Sequence, residues 1–440
     1  MREIYHIDPP EFWVDQIHVT EDGNLQYDLS IRNLSYLCPI CGSSDIIRHG
    51  IRKRAVRDLP EHMKHVGLLI SMQKYRCNEC NAVFTDKLLS IDSNARMTIR
   101  MRDYIRSQSL RRPFLSIADE LSVTDTTVRR IFKSYVSELD KSRKLKAPSV
   151  LGIDENHLLR RYRAVFTDIE NRLLIEILPN RSKESVVKFI RSLPDYKSIR
   201  VVTCDMWAPY RDAAHEVIPN ADVVVDKFHV IKMLNDALEK IRKRLRSEQT
   251  PESRRELRRS RYLMLSNSED LDESYQQQLY AIFEAYPVFR EPHALKEEFR
   301  EIYLLSGNRY EAEQRYSKWR LRAAGYPEFE AVRNAVDNWH KEIFAYFEHH
   351  YTNAVTESLN RLINEISDRG RGYSFDVLRA KVLYGTKATK PAKYRFIYSS
   401  PVNEPLMMQF ATSYTNVPQC IHGDGVDIDE LISIIQQKGL

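Results

Sequence analysis

Cysteine is scarce, with six in 440 residues. That is too few for a disulfide framework, and four of the six fall in two tight pairs. No apolar run approaches the roughly 18 residues that a membrane span needs. The start, MREIYHIDPPEFW, lacks the apolar stretch of a signal peptide. There is no internal repeat and no low-complexity tract. Neither sign of charge dominates: Lys plus Arg is 67 and Asp plus Glu is 61, a net charge of +6. These absences argue against membrane and secreted classes and point to a soluble protein of the cytoplasm. The apolar content, 42%, is enough for a real core, and the length suits about three domains at ~150 residues each.

Residues 25–31 and 66–70 read as strands, and the period turns helical from about Met97 to Leu139. A basic polar stretch, 140–146, reads as a linker ending at Pro148. Beyond it the pattern is the most ordered in the chain. Short strands at 149–154, 162–167 and 173–178 precede a helix at 185–193, a strand at 199–204, a helix at 209–217 and a strand at 221–225. The order β-β-β-α-β-α-β suggests a mixed sheet with helical cover. From His229 to about Tyr346 the patterns are helical, charge-dense and rich in aromatics. Residues 352–368 form an amphipathic helix whose Val355, Leu359, Leu362 and Ile366 share a face. A last helix is expected at 428–437.

Cys38-Pro39-Ile40-Cys41-Gly42 and Cys77-Asn78-Glu79-Cys80 are two C-x-x-C knuckles. Two such turns complete a tetrahedral set of four thiolates that suits structural zinc, with the 35-residue gap holding the strands of a zinc ribbon. Redox pairs or incidental thiols are the competing readings. Cys204 and Cys420 stand alone, and Cys204 reads as core.

Residues 114–132 carry helix-turn-helix punctuation. Ile117, Ala118 and Leu121 would pack the first helix, Val123 the turn, and Val128 and Ile131 the second, capped by Thr124 or Asp125. The exposed face then presents Thr126, Thr127, Arg129, Arg130 and Lys133, side chains that suit base edges and phosphates in a major groove. An ordinary helical hairpin is the plain alternative. Arg96, Arg100, Arg102, Arg106, Arg111 and Arg112 weigh against it, because unpaired cations accumulate where phosphates are expected.

Asp154 and Asp205 both end predicted strands. If those strands are neighbours, the two carboxylates approach closely and call for a cation such as Mg²⁺ or Mn²⁺. A metal pair there can serve phosphoryl transfer. Glu357 is the expected third acid, on a polar stripe with Asn353, Asn360, Arg361 and Asn364. Asp226 and His229 follow the next strand end and are expected to support the acids, the plain alternative being a helix cap and a packed histidine. Glu155 and Asp168 rank below these. Trp207, Trp319 and Trp339 read as core rather than as base-stacking platforms.

The combination resembles bacterial insertion-sequence transposases of the DDE type, most closely the family written ISL-three. It rests on Cys-Pro-x-Cys-Gly with Cys-x-x-Cys, the helix-turn-helix, Gly152-Ile153-Asp154-Glu155, Asp205-Met206-Trp207-x-x-Tyr210, Asp226-Lys227-Phe228-His229-Val230 and Glu357-Ser358-Leu359-Asn360. The resemblance implies a multidomain α+β protein: a zinc ribbon (1–92), a helix-turn-helix (93–147) and a ribonuclease-H-like mixed-sheet catalytic domain. That domain would occupy 148–231 and 346–400, interrupted by an all-helical insertion (232–345) and followed by a tail (401–440). It also implies Asp154, Asp205 and Glu357 as the DDE triad. The expected partners are double-stranded DNA, as transposon ends and target, and a second copy of the chain, since joining two ends needs a dimer or larger complex. The expected activity is metal-dependent cleavage and strand transfer. The alternatives are a silent DNA-binding regulator or a structure-specific nuclease. In the insertion, Arg254, Arg255, Arg258 and Arg259 are expected on DNA phosphates, unless the basic helices are merely solvated and laced by pairs with Glu.

Overall fold

The computed structural model describes residues 11–32, 37–93, 95–370 and 372–385. The chain divides into two units, Met1–Ser142 and Arg143–Leu440. The expected last helix at 428–437, the 401–440 tail, Cys420 and the side chain of Arg259 lie outside the described residues.

In the first unit, β1 (Phe12–Val19), β2 (Leu25–Ile31), β3 (Ile46–Glu61), β4 (Lys64–Cys77) and β5 (Val83–Thr85) form one sheet. Its order is β1-β2-β4-β3, with β5 also on β4. Both knuckles flank the open end of the long β3–β4 hairpin, because its register sets Ile46 opposite Cys77. Strands β1 and β2 enlarge the ribbon: β2 lies parallel to β4, and the pair buries Phe12 and Leu29 against Val56, Leu68 and Ile70. Three helices follow, α1 (Ile99–Ser109), α2 (Phe114–Leu121) and α3 (Asp125–Ser142). Ile117, Ala118 and Leu121 of α2 and Val128 and Ile131 of α3 are buried, as the pattern required. Ser122 takes the left-handed conformation that ends α2. The Thr124 hydroxyl accepts from the Thr127 amide at 3.2 Å and caps α3.

The stretch expected as a linker is largely ordered. Helix α3 runs to Ser142, Arg143 pairs with Glu176 at 2.9 Å with both side chains buried, and Leu145 packs on the second unit's core. Its basic residues had suggested solvent; one of them answers a buried carboxylate instead.

The second unit opens with β6 (Val150–Leu158), β7 (Arg161–Asp168), β8 (Leu173–Ile177), α4 (Lys183–Ser192), β9 (Val201–Cys204), α5 (Ala208–Val217) and β10 (Asp222–Val225). The sheet order is β10-β9-β6-β7-β8. Strands β6, β7 and β8 form an antiparallel meander; β9 runs parallel to β6, and β10 parallel to β9. This mixed sheet is the ribonuclease-H-like topology. Alternation along the strands serves two faces. Leu151, Ile153, Phe166, Val202 and Cys204 meet α4 and α5. On the opposite face, Val165 and Leu174 meet α15 (Ala354–Arg369) and α16 (Phe375–Gly385).

Between β10 and α15 the described chain is all helical: α6 (Lys227–Ser247), α7 (Pro251–Arg259), α8 (Arg261–Leu265), α9 (Glu273–Ala285), α10 (Arg290–Leu305), α11 (Arg309–Ala323), α12 (Glu330–Asn338), α13 (His340–Phe344) and α14 (Tyr346–His349), with short 3-10 turns. Aromatics fill its core. Trp319 is buried between Phe299 and Phe329, and its Nε1 donates to the Leu295 carbonyl at 2.7 Å.

Candidate active site and nucleic-acid interface

Asp154 is not at the end of its strand, contrary to expectation. β6 continues to Leu158, because its polar end pairs with the start of β7, His157 lying opposite Tyr162. What ends is the neighbour: β9 pairs only to Cys204, opposite Ile153. Asp154 therefore stands where β6 outruns β9, and Asp205 follows directly in register. In an open α/β sheet ligands lie in the crevice outside the carboxyl ends of the strands, here where β9 and β10 stop together beside the longer β6. Both aspartates are largely buried.

Ligand atoms of Asp154, Asp205 and His229 lie within 4.8 Å of one another, and so do those of Asp226, His229 and Glu357. His229 belongs to both groups. Its Nε2 is 2.7 Å from Asp205 Oδ1. Asp226 caps α6 by accepting from the Phe228 amide at 3.1 Å, and its other oxygen accepts from the Asn353 amide at 3.2 Å. The plain reading of Asp226 as a cap is thus correct and also incomplete, since the same carboxylate belongs to the acid cluster.

The electrostatics show a surplus of acids. Burial, with the charges of Asp205, Glu357 and Asp226, pushes Asp154 up to about 9. Burial and Asp226 raise Glu357. Burial raises Asp226 as well, against the two amides that bond it. Burial works against the charged form of His229, but the Asp205 hydrogen bond and the surrounding carboxylates outweigh it, and its pKa rises. Oxygen donors crowded this closely fit a hard divalent cation, which would offset the burial and mutual repulsion that raise Asp154.

Helix α15 is seated on the sheet by polar contacts that the sequence pattern obscured. The expected apolar face was Val355, Leu359, Leu362 and Ile366. The deepest residues are instead Asn353, Thr356, Leu359 and Ile363. Asn353 Nδ2 donates to the Ile153 carbonyl at 3.0 Å, and its Oδ1 accepts from Thr203 at 3.0 Å and Thr356 at 2.9 Å. Thr356 meets Thr167 at 2.7 Å. All four side chains are fully buried, so each bond is made in low dielectric, where leaving it unmade costs most. Gly152 leaves room for this seam: a Cβ there would stand 2.2 Å from Thr167 Oγ1 and 2.9 Å from Thr356 Oγ1. One turn past Glu357, Asn360 donates to Asp154 Oδ2 at 2.8 Å. Its spacing from Asn353 and Glu357 was the legible signal.

The lesser acids have other work. Glu155 pairs with Arg181, and Asp168 accepts from the Asn171 amide and side chain in a turn. Trp319 and Trp339 are core. Trp207 is not: it is 38% exposed, a correction to the expectation, because it sits in the loop between β9 and α5 rather than on a packed face.

In the first unit, the four cysteine sulfurs cluster within 4.8 Å. Cys38 lies 3.6 Å from Cys80 and Cys41 lies 3.5 Å from Cys77. Zinc bonds of ~2.3 Å would place tetrahedral sulfurs about 3.8 Å apart, so the set fits zinc. The Cys41 amide, chief among the groups bonding the Cys38 sulfur, draws that thiol down to about 6. Gly42, at φ +76, makes the tight turn of the first knuckle.

The arginines before the helix-turn-helix are mostly not unpaired, which overturns one support for that reading. Arg100 pairs with Asp58, Arg102 with Asp92, Arg106 with Glu138 and Arg112 with Glu120. On α3, Arg129 is held by Asp125 at 2.6 Å, and the Thr126 and Thr127 hydroxyls each lie 2.9 Å from that of Thr124. Arg130 and Lys133 are exposed. Arg130 and Thr127 line a cleft of about 580 Å³ with Arg57, Arg96, Gln26 and Val123, and no carboxylate lines it. In the insertion, Arg242, Lys243 and Arg261 pair with Glu239, and Arg244 pairs with Glu328. Arg254 donates to the Gln249 and Ser247 carbonyls. Arg255 and Arg258 are exposed on α7.

A family model described as a transposase matches residues 151–382, more than half of the chain. The chain belongs to the ISL3 family of transposases. The resemblance read from the motifs is borne out along the chain. The helix-turn-helix domain of transposase family ISL3 matches residues 90–136, and the zinc-finger of transposase IS204/IS1001/IS1096/IS1165 matches 36–80. Among curated relatives, the ISL3 chain is 24% identical to the transposase for insertion sequence element IS1001 of Bordetella parapertussis, over 82% of this chain and 92% of that one. It is 23% identical to the transposase for insertion sequence element IS1557 of Mycobacterium tuberculosis, over 61% of this chain and 66% of that one. No helix among the described residues is long and apolar enough to cross a membrane.

Proposed function

We propose that this ISL3-family transposase binds the terminal inverted repeats of its own element, cuts a phosphodiester there with water, and joins the freed 3′-hydroxyl to target DNA. The observation that carries the reading is the shared crevice. Asp154 and Asp205 meet across β6 and β9, and His229 links them to Asp226 and Glu357. Asp154, Asp205 and Glu357 are the proposed triad, and they would hold magnesium or manganese. Bound there, divalent cations would supply activation of the attacking oxygen and offset charge on the phosphate.

The chain's own groups set the stage. Asn360 fixes the Asp154 carboxylate, and Asp226 ties α6 to the start of α15, so that both helices present their side chains to one crevice. His229 sets its Nε2 2.7 Å from Asp205 Oδ1, and the surrounding carboxylates favour its protonated form. Water attacks phosphorus and the bond to the 3′-oxygen breaks; that 3′-hydroxyl then loses its proton as it attacks a target phosphodiester, and the target's own 3′-oxygen leaves and is protonated. Both steps are in-line displacements, so one site serves both. End recognition falls to Thr126, Thr127, Arg129, Arg130 and Lys133 of α3, with zinc held by Cys38, Cys41, Cys77 and Cys80. The carboxylate-free cleft shared by Arg57, Arg96 and Arg130 suits backbone phosphates. Arg255, Arg258 and, in sequence, Arg259 extend basic character into the insertion. Two copies of the chain would hold the two ends.

The test is a supercoiled plasmid carrying the element's two ends, incubated with Mg²⁺ or Mn²⁺. Wild type should nick or excise at the ends; D154A, D205A and E357A should not, while still binding end duplexes. Cutting by any of the three at the wild-type rate would overturn the triad. Cutting independent of the ends would point to a structure-specific nuclease, and tight binding with no cutting by wild type to a regulator.

A further inference from the structure

We propose that Trp207, backed by Arg181, is a stacking platform for one nucleobase unpaired beside the phosphodiester at Asp154 and Asp205. The inference rests on the cleavage reading above and adds a positioning residue to it.

Trp207 lies two residues beyond Asp205, and its amide donates to the Asp205 carbonyl at 2.7 Å. The indole therefore flanks the crevice on a short, hydrogen-bonded turn. It is absent from the apolar clusters on both faces of the sheet. Exposure of 38%, against 2% for Trp319 and 8% for Trp339, separates it from the core tryptophans of the same unit. The Arg181 guanidinium stands 4.2 Å from the centre of the Trp207 ring and 4.3 Å from that of Tyr162. It is also ion-paired with Glu155, the neighbour of Asp154. Tyr162, Arg181 and Trp207 thus form a stack tied to both strands that carry the aspartates. An indole that is partly exposed, held by a cation and two residues from Asp205 offers a π-face to an aromatic ligand.

The chemistry identifies the ligand. A phosphodiester inside a stacked duplex is stiff, and seating it deep in a crevice requires local distortion. Taking one base out of the stack, as enzymes that act on bases do, relieves that stiffness, and an extruded base is held against an aromatic face. Such a face accepts any base, because every base has a π-surface.

The experiment uses the full-length zinc-loaded protein and end duplexes with thymine placed in turn at each position around the cut. Permanganate reactivity is read first without divalent cations, so that the footprint does not depend on cutting. Wild type and W207F should expose one thymine near the cut, and W207A should not. With Mn²⁺ added, W207A should cut the paired duplex roughly 10-fold to 100-fold more slowly than wild type. A single mismatch at the exposed position should bring it back to within about 3-fold. Absence of a reactive thymine with wild type, or an unchanged footprint with W207A, would overturn the platform whether or not the protein cuts. Failure of wild type to cut would instead count against the cleavage reading. Melting curves for W207A and W207F identify a variant that has merely unfolded.

Discussion

The chain gathers metal-type ligands in two places, and the two sets are built on opposite principles. The four cysteines are near neighbours at tetrahedral spacing, on two knuckles at the open end of one hairpin, so an ion there would be closed in by sulfur on all sides. The carboxylates come from β6, β9, α6 and α15. They fall into two overlapping groups joined by His229 and stay open to a crevice. A closed soft set stabilises a fold; an open hard set leaves room for substrate oxygen. Within the sulfur set, amides draw the Cys38 thiol down, while at Cys41 the pull of a backbone amide is outweighed by the neighbouring sulfurs, which push the thiol up to about 12; in the carboxylate set, burial and mutual repulsion push Asp154 up.

The largest expected effect separates the two sets outright. D154A should lower end cutting by at least ~10³-fold, with zinc content unchanged by atomic absorption and end affinity within a few-fold by gel shift. Loss of zinc from D154A would break the separation. Next, C38S should release zinc and weaken end binding by ~100-fold or more, since structural zinc supplies folding energy. Retained affinity in metal-free C38S would show that the sheet stands without its ion.

The raised Asp154 gives a pH test. The folded Asp154 holds its proton up to about 9, whereas the unfolded chain releases it near 4. The metal-free protein therefore loses stability as pH rises through that window. Calorimetry should show D154N melting ~3 °C or more above wild type at pH 8 without metal, with no such gap at pH 4. Mn²⁺ should reverse the order. A higher melting point for wild type at pH 8 without metal would count against the repulsion.

The smallest effect concerns the basic helices, where positive charge is largely met by the chain's own acids. R255Q with R258Q should reduce the salt slope of DNA binding by up to about 2 without changing the melting point. R242Q, which breaks a buried pair with Glu239, should cost about 3 kcal/mol of stability and leave the slope alone. An unchanged slope with R255Q and R258Q would remove α7 from the interface.

Much of the fold was legible because its signals are local. C-x-x-C knuckles, the helix-turn-helix punctuation and the β-β-β-α-β-α-β order each depend on residues close in sequence. The acids were legible because they interrupt apolar runs at Asp154, Asp205 and Asp226. Pairing was not. The arginines before α2 counted as free cations in sequence, yet their partners, Asp58 for Arg100 and Glu138 for Arg106, are 42 and 32 residues away. Likewise α15 was assigned the correct span and an incomplete buried face, because Thr356 and Asn353 read as polar until Thr203, Thr167 and the Ile153 carbonyl supply their partners.

Residue order alone determined the family, the two ligand sets and the element sequence, since each is a matter of type and spacing along the backbone. Only the tertiary structure decided that β6 outruns β9 beside Asp154, that Gly152 clears the way for α15, and that one tryptophan of four stands at the crevice. Those facts depend on which distant segments touch, and no local pattern encodes the depth at which two surfaces meet.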